Sequence, residues 1–226
     1  MISPDAYAEL QLPDQWLEDQ MQAVEAAWIL EQTESCAAVI ELGFGSGIIT
    51  RALVCAGRQV TMVDGSEAFC ATASKIPGVD VVHSMFEDFT PRVDKYNCVI
   101  ASFILEHIAD PVALLKRIRG WTDKLIVVVG NANSYHRQIA VRMGIQPRLD
   151  SLSERDVTVG HVKVYDANTI ERDLHEAGWI VTGMRGLGLK VLPNAMLARL
   201  RPDIAKTMMQ MECNPEVAAN LFILAR

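Results

Sequence analysis

Between residues 37 and 130, five short apolar runs (AAVIEL, QVTMVD, VDVVHS, NCVIAS and KLIVVVG) recur with longer segments between them. Short runs with no polar face read as strands covered on both sides, and segments of helical period between them supply the crossovers that parallel strands need. The pattern predicts an α/β chain, a mostly parallel sheet with helices on both faces. Strands are expected at 37–42, 59–64, 79–84, 97–102 and 124–130. Helices are expected at 48–57 and 67–75, with another starting at the cap and first-turn pair Asp110 and Pro111.

After residue 130 the rhythm breaks for about thirty residues rich in Arg, His, Asn and Asp. It resumes with a helix capped by Asp166 and closed by Gly178, then a strand at 179–186, a helical segment at 194–211 and a last strand at 220–226, giving seven strands. An amphipathic helix over 14–34, with Trp16 and Trp28, precedes the first strand. No repeat or linker divides the chain. Residues 1–226 are therefore expected to form one domain, with an N-terminal helical lid (1–35) and a substrate-side insert (131–165).

A formal charge of −7 argues against general affinity for nucleic acid, whose backbone is bound by many Lys and Arg. The five cysteines are odd in number and show no metal-like spacing, so neither a disulfide framework nor a zinc site is expected. No basic-then-apolar leader or membrane-length apolar run is visible. The expectation is a cytoplasmic protein with neither membrane nor nucleic-acid partner and no metal.

The first strand runs into ELGFGSG (41–47), and the second ends at Asp64. A glycine loop after the first strand lets a ligand approach the backbone, and an acid ending the second strand can accept from a ribose diol. The spacing is GxGxG, not the GxGxxG of dinucleotide sites, and Glu41 would repel a pyrophosphate. S-adenosylmethionine has no phosphate and carries a sulfonium and an ammonium, which suits an adjacent acid. Tight strand-to-helix packing is the plainer reading of Gly43, Gly45 and Gly47.

With ASFILEHIADP (101–111) added, the chain resembles class I S-adenosylmethionine-dependent methyltransferases of small-molecule type, over roughly residues 37–130. The resemblance implies a Rossmann-like class I methyltransferase fold with S-adenosylmethionine as donor and S-adenosylhomocysteine as product. Glu41 and the glycine loop would hold the amino-acid end, Asp64 the ribose, and SMFEDF (84–89) the adenine. Where many relatives place an acid for the adenine amino group this chain has Met85, leaving that role to backbone or Glu87, with Met85 and Phe86 as walls or as ordinary core. Ser102 and His107 fall beside the donor.

Methyl transfer is an in-line displacement, so a hydroxyl acceptor needs a base whereas an anionic oxygen needs orientation only. The insert concentrates Tyr135, His136, Arg137, Arg142, Arg148, Arg155, His161, Lys163 and Tyr165, donors suited to an oxyanion. Solvated residues paired with Asp150, Glu154 and Asp156 are the plainer reading of any one Arg. His136 is the first candidate for substrate contact or base, then His161, with Arg137 beside them; Tyr135, Arg148, Arg155 and Lys163 are candidate substrate contacts. Tyr7 and Trp16 are candidates for closing the lid. The Met-rich stretch at 206–213 is core filling or the face of a homodimer.

The NANSYHR run also resembles methyltransferases of bacterial secondary-metabolite and surface-sugar pathways, phosphonate O-methyltransferases among them. These features lead to the expectation of O-methylation of an anionic or hydroxyl group on a small molecule. Small-molecule N-methylation and a non-catalytic module that binds the cofactor to regulate a partner are the alternatives.

Overall fold

The computed structural model describes residues 2–91 and 96–226. In chain order come α1 (Pro4–Ala8), α2 (Gln15–Gln32), β1 (Ala38–Leu42), α3 (Ile48–Cys55), β2 (Gln59–Asp64), α4 (Glu67–Ala73), β3 (Val79–His83) and β4 (Cys98–Ser102). A single 3-10 turn (Leu105–His107), α5 (Pro111–Arg119) and β5 (Leu125–Gly130) follow. The insert carries α6 (Tyr135–Arg142) and α7 (Glu154–Thr158). The chain ends with α8 (Ala167–Glu176), β6 (Val181–Leu187), α9 (Asn194–Leu197), α10 (Pro202–Gln210), β7 (Glu212–Cys213) and β8 (Asn220–Ala225).

The strands form one sheet in the order β3-β2-β1-β4-β5-β8-β6-β7. Strands β1 to β5 pair in parallel, and β8 runs antiparallel between β5 and β6. The sheet thus has eight strands where seven were expected. The extra one, β7, is two residues paired antiparallel to β6 at the edge, too short to leave a periodic signal. The expected helix over 194–211 is also two helices, because Pro202 opens α10 and cannot continue the preceding one.

Successive residues of the central strands face opposite sides. Leu125, Val127 and Val129 join a core beneath α5 and α8 with Leu114, Ile118, Ile170 and Trp179, and Ile126 and Val128 join one beneath α2 and α3 with Leu17, Met21, Ile29 and Leu53. This double burial is why the strand sequences are apolar throughout. In the Met-rich stretch Met209 is buried, Met208 packs against the core and Met211 is exposed. No helix among the described residues is long and apolar enough to cross a membrane.

From β1 the chain winds toward β3, and from β4 it winds the other way, so the crevice for a ligand lies beyond the carboxyl ends of these two strands. Helix α2 packs across that region and buries Glu25, whose Oε1 accepts from Asn220 of β8 at 2.9 Å while Oε2 has no partner among the described residues. Burial pushes Glu25 up to about 8, the bond from Asn220 opposing. The folded state therefore holds this proton more tightly than the unfolded chain, and the contribution to stability falls as pH rises from about 4.5 to about 8. Glu25→Gln is expected to flatten that fall and to melt higher than the parent above pH 8. Thermal denaturation of both proteins across this range checks it.

Candidate active site

Gly43, Gly45 and Gly47 have φ of 83°, 52° and 71°, a backbone region that side chains disfavour. Their surroundings differ. A Cβ on Gly45 would meet open space, whereas one on Gly43 would strike Ile104 and one on Gly47 the Phe44 ring. Gly43 and Gly45 line a cavity of about 340 Å³, and Gly47 serves the packing of the loop against α3.

The Asp64 carboxylate accepts the backbone N–H of Phe44 at 2.9 Å and that of Ser66 at 2.8 Å. It is thereby fixed at the cavity wall, and an ionised carboxylate has further lone pairs for a diol. Burial raises its pKa, and the two N–H bonds oppose the rise. Glu41 also lines the cavity and accepts from the Thr50 hydroxyl at 2.7 Å. Burial pushes it up to about 8, so near neutral pH Glu41 carries a proton unless a cation lies beside it.

Met85, Phe86 and Glu87 line the same cavity beyond Gly65, and Ser102 and His107 line it at the end of β4. Phe103 there has a φ of 55°, an outlier that turns the chain sharply into Leu105–His107. The Ser102 hydroxyl and Glu106 Oε2 are buried without a partner among the described residues, which suits a region completed by ligand or water. Over the cavity lies α1. Asp5 accepts from the Ser66 hydroxyl and the Glu67 N–H, while the Tyr7 ring meets Phe69 and His107 edge-on. Tyr7 thus lines the cavity as expected, but Trp16 packs against the core instead.

The far side is built by the insert. Glu106 accepts from the Gly130 N–H at 2.9 Å through Oε1, and its carbonyl accepts from the Val162 N–H at 2.9 Å. This brings the His161 ring to 4.8 Å from His107. His161 Nδ1 lies 3.1 Å from Asp156 Oδ1, and Asp156 Oδ2 accepts from Arg137 and from the Ser153 N–H and hydroxyl. Burial pushes Asp156 up, but hydrogen bonds from His161 and Ser153 and the Arg137 charge hold it well below the usual carboxylate range. Arg137 also donates to the Leu149 and Ser151 carbonyls.

Arg137, His136, His161 and Arg155 line the cavity. Tyr135, Arg148 and Lys163 are not among its lining residues. Tyr135 opens α6 with its side chain exposed. Arg148 is exposed and paired with Asp150, and Lys163 donates to Asp173 at 3.0 Å. In the extended segment 163–165 side chains alternate, so Val164 faces the cavity and Lys163 and Tyr165 face α8. Burial and the nearby charges of Lys190 and Arg137 push His136 down to about 2, and burial with His161 pushes His107 down to about 4. Asp156 was legible only as a partner for Arg, and Lys190 and Glu18, also at the cavity, carried no motif. Among the described residues no group of three or more His, Cys, Asp or Glu is placed to hold a metal ion.

Residues 21–182 match the family model described as a methyltransferase domain. The chain belongs to this methyltransferase-domain family. A search of curated proteins finds no match. Among solved structures, the methyltransferase is similar to magnesium protoporphyrin IX methyltransferase from Synechocystis with S-adenosylhomocysteine bound (TM-score 0.64, 15% identity, 97% of this chain and 90% of that one). It is similar also to 1,6-didemethyltoxoflavin-N1-methyltransferase from Burkholderia thailandensis, bound to 1,6-didemethyltoxoflavin and S-adenosylhomocysteine (0.59, 15%, 92% and 77%). A third likeness is to an S-adenosylmethionine-dependent methyltransferase from Mesorhizobium loti (0.59, 16%, 84% and 90%). The fold is the Rossmann-like one of class I methyltransferases, whose donor is S-adenosylmethionine.

The residues that line the cavity fit that donor: Asp64 has acceptors that would meet a ribose diol, Gly45 leaves space for a ligand against its backbone, and Glu41 would lose its proton beside a cation. Near pH 7 S-adenosylmethionine binding is expected to release a proton, because its cationic groups favour the Glu41 carboxylate. Calorimetry in buffers of different ionisation heat reads the release, which Glu41→Gln should abolish. Asp64→Ala is expected to weaken S-adenosylhomocysteine binding by roughly tenfold to a hundredfold, since it removes charged acceptors.

Proposed function

We propose that this methyltransferase transfers a methyl group from S-adenosylmethionine to a hydroxyl oxygen of a small molecule, with His161 as general base. The observation that carries the reading is the Asp156–His161 pair at the wall of the cavity that also holds the glycine loop and Asp64. Asp156 is held ionised and can only accept, so the proton of the pair belongs on His161 Nδ1. Nε2 then keeps a lone pair for the acceptor.

When bound, S-adenosylmethionine supplies a methyl group made electrophilic by its sulfonium. His161 takes the proton of the acceptor hydroxyl as that oxygen becomes the nucleophile, and Asp156 stabilises the imidazolium that results. Arg137 keeps the Asp156 carboxylate in place. Tyr7 and α1 cover the cavity and exclude water from the reacting groups. His136, with its imidazolium strongly disfavoured by burial and by the charges of Lys190 and Arg137, is a poor base and is assigned to binding. The small-molecule acceptors named for the structural neighbours, 1,6-didemethyltoxoflavin and magnesium protoporphyrin IX, support an acceptor of that general class.

His161→Ala is expected to lower kcat by roughly a hundredfold to ten-thousandfold, the usual yield of general-base catalysis. S-adenosylhomocysteine affinity should stay near that of the parent. Asp156→Asn should lower kcat less, and His136→Ala should act mainly on KM. S-adenosylhomocysteine release measured over a panel of hydroxylated metabolites tests the reading, which an unimpaired His161→Ala enzyme would overturn.

A further inference from the structure

The insert was expected to meet an anion with its arginines, but each of those that line the cavity is hydrogen-bonded to a carboxylate of the protein. Arg137 donates to Asp156 and to the carbonyls of Leu149 and Ser151. Arg155 Nη1 lies 2.9 Å from both Asp14 oxygens, and its Nη2 lies 3.7 Å from Glu18.

Lys190 is different. It lines the cavity from the loop after β6, and its side chain is 12% exposed. Among the described residues no acceptor lies within hydrogen-bond distance of Nζ, and Glu18 Oε1 stands at 3.8 Å, already accepting from Asn194. An ammonium has three donors, and with no protein acceptor within reach those of Lys190 are open to the cavity. Burial lowers its pKa, with Glu18 opposing, as expected of a charge matched at a distance while its protons lack acceptors.

The backbone that carries Lys190 is held by hydrogen bonds on either side. The Leu189 N–H donates to the Met208 carbonyl at 2.8 Å, and the His136 N–H donates to the Lys190 carbonyl at 3.0 Å. His136, which also lines the cavity, holds Nδ1 3.0 Å from the Ser134 hydroxyl. Lys190 and His136 thus line the same cavity, close enough that the Lys190 charge bears on the His136 ring, and neither is hydrogen-bonded to the Asp156–His161 pair among the described residues. An oxyanion is the ligand that best meets an ammonium with free protons, through short charge-assisted bonds.

We infer that Lys190, with His136 beside it, binds a carboxylate or phosphate that the acceptor carries away from the methylated hydroxyl. The substrate class is then a hydroxylated small-molecule acid, an inference that rests on the O-methylation proposed above. Lys190 sets specificity by holding this anion, and His161 takes the proton.

The test is calorimetry on the full chain saturated with S-adenosylhomocysteine, titrated with salicylate, 3-hydroxybutyrate, glycerol 3-phosphate and the methyl esters of the two carboxylates. At least one anion is expected to bind. A binding carboxylate should bind at least tenfold more tightly than its ester, and a binding phosphate alone would assign the site to phosphate. Lys190→Met should remove the affinity for the anion and Lys190→Arg should retain most of it, both keeping S-adenosylhomocysteine affinity within about twofold of the parent as a check on folding. Equal binding of the anion by Lys190→Met, equal binding of acid and ester, or no binding by any of the anions overturns the inference. His161→Ala separates the two readings: it should keep anion binding while losing turnover, and if it keeps both, the general-base assignment fails while the Lys190 site stands.

Discussion

A carboxylate removed from water must be given hydrogen-bond donors or a proton, and the carboxyl edge of this sheet is organised around four that meet the requirement differently. Asp64 receives two backbone N–H groups. Asp156 receives Arg137, His161 and both donors of Ser153, and stays ionised. Glu106 receives the Gly130 N–H, and Glu41 the Thr50 hydroxyl; burial raises both. The well-supplied acids are fixed charges that orient other groups. Of the poorly supplied ones Glu41, pushed up to about 8, holds a proton near neutral pH, so a cation beside it would change the charge of the cavity.

The same bonds tie distant parts of the chain together. Glu106 links the end of β4 to the end of β5 and to Val162. Asp156 links α6 to α7 and His161, and Asp5 links α1 to the start of α4. The glycine-loop side and the insert side are therefore walls of one cavity, which α1 also lines. Within it Arg137 is paired inside the insert with Asp156 and Arg155 with Asp14 of the N-terminal segment, whereas Lys190 Nζ has no acceptor within hydrogen-bond distance among the described residues.

The α/β class, the parallel core and the donor loop were legible because each rests on a local rule. Buried strands must be apolar, crossovers must be helical, and a loop with positive φ needs glycine, as at Gly45. The edge strand β7 was not legible, since two residues carry no period. Nor were the directions of side chains in the insert: Arg148 and Lys163 are as basic as Arg137, yet one is paired at the surface with Asp150 and the other faces Asp173.

The sequence by itself determined the fold class, the glycine loop and the acid at Asp64, because these follow from near-neighbour spacing and strand periodicity. Only the tertiary structure decided which histidine is paired with an acid and which cation has free donors. Asp156 and His161 meet within one short segment, but Glu18, the acid facing Lys190, comes from α2, whose approach to the loop after β6 depends on the packing of the whole sheet. An ion pair needs its charges within a few ångströms, and no local pattern in the chain sets the 3.8 Å between residues as far apart in sequence as Glu18 and Lys190.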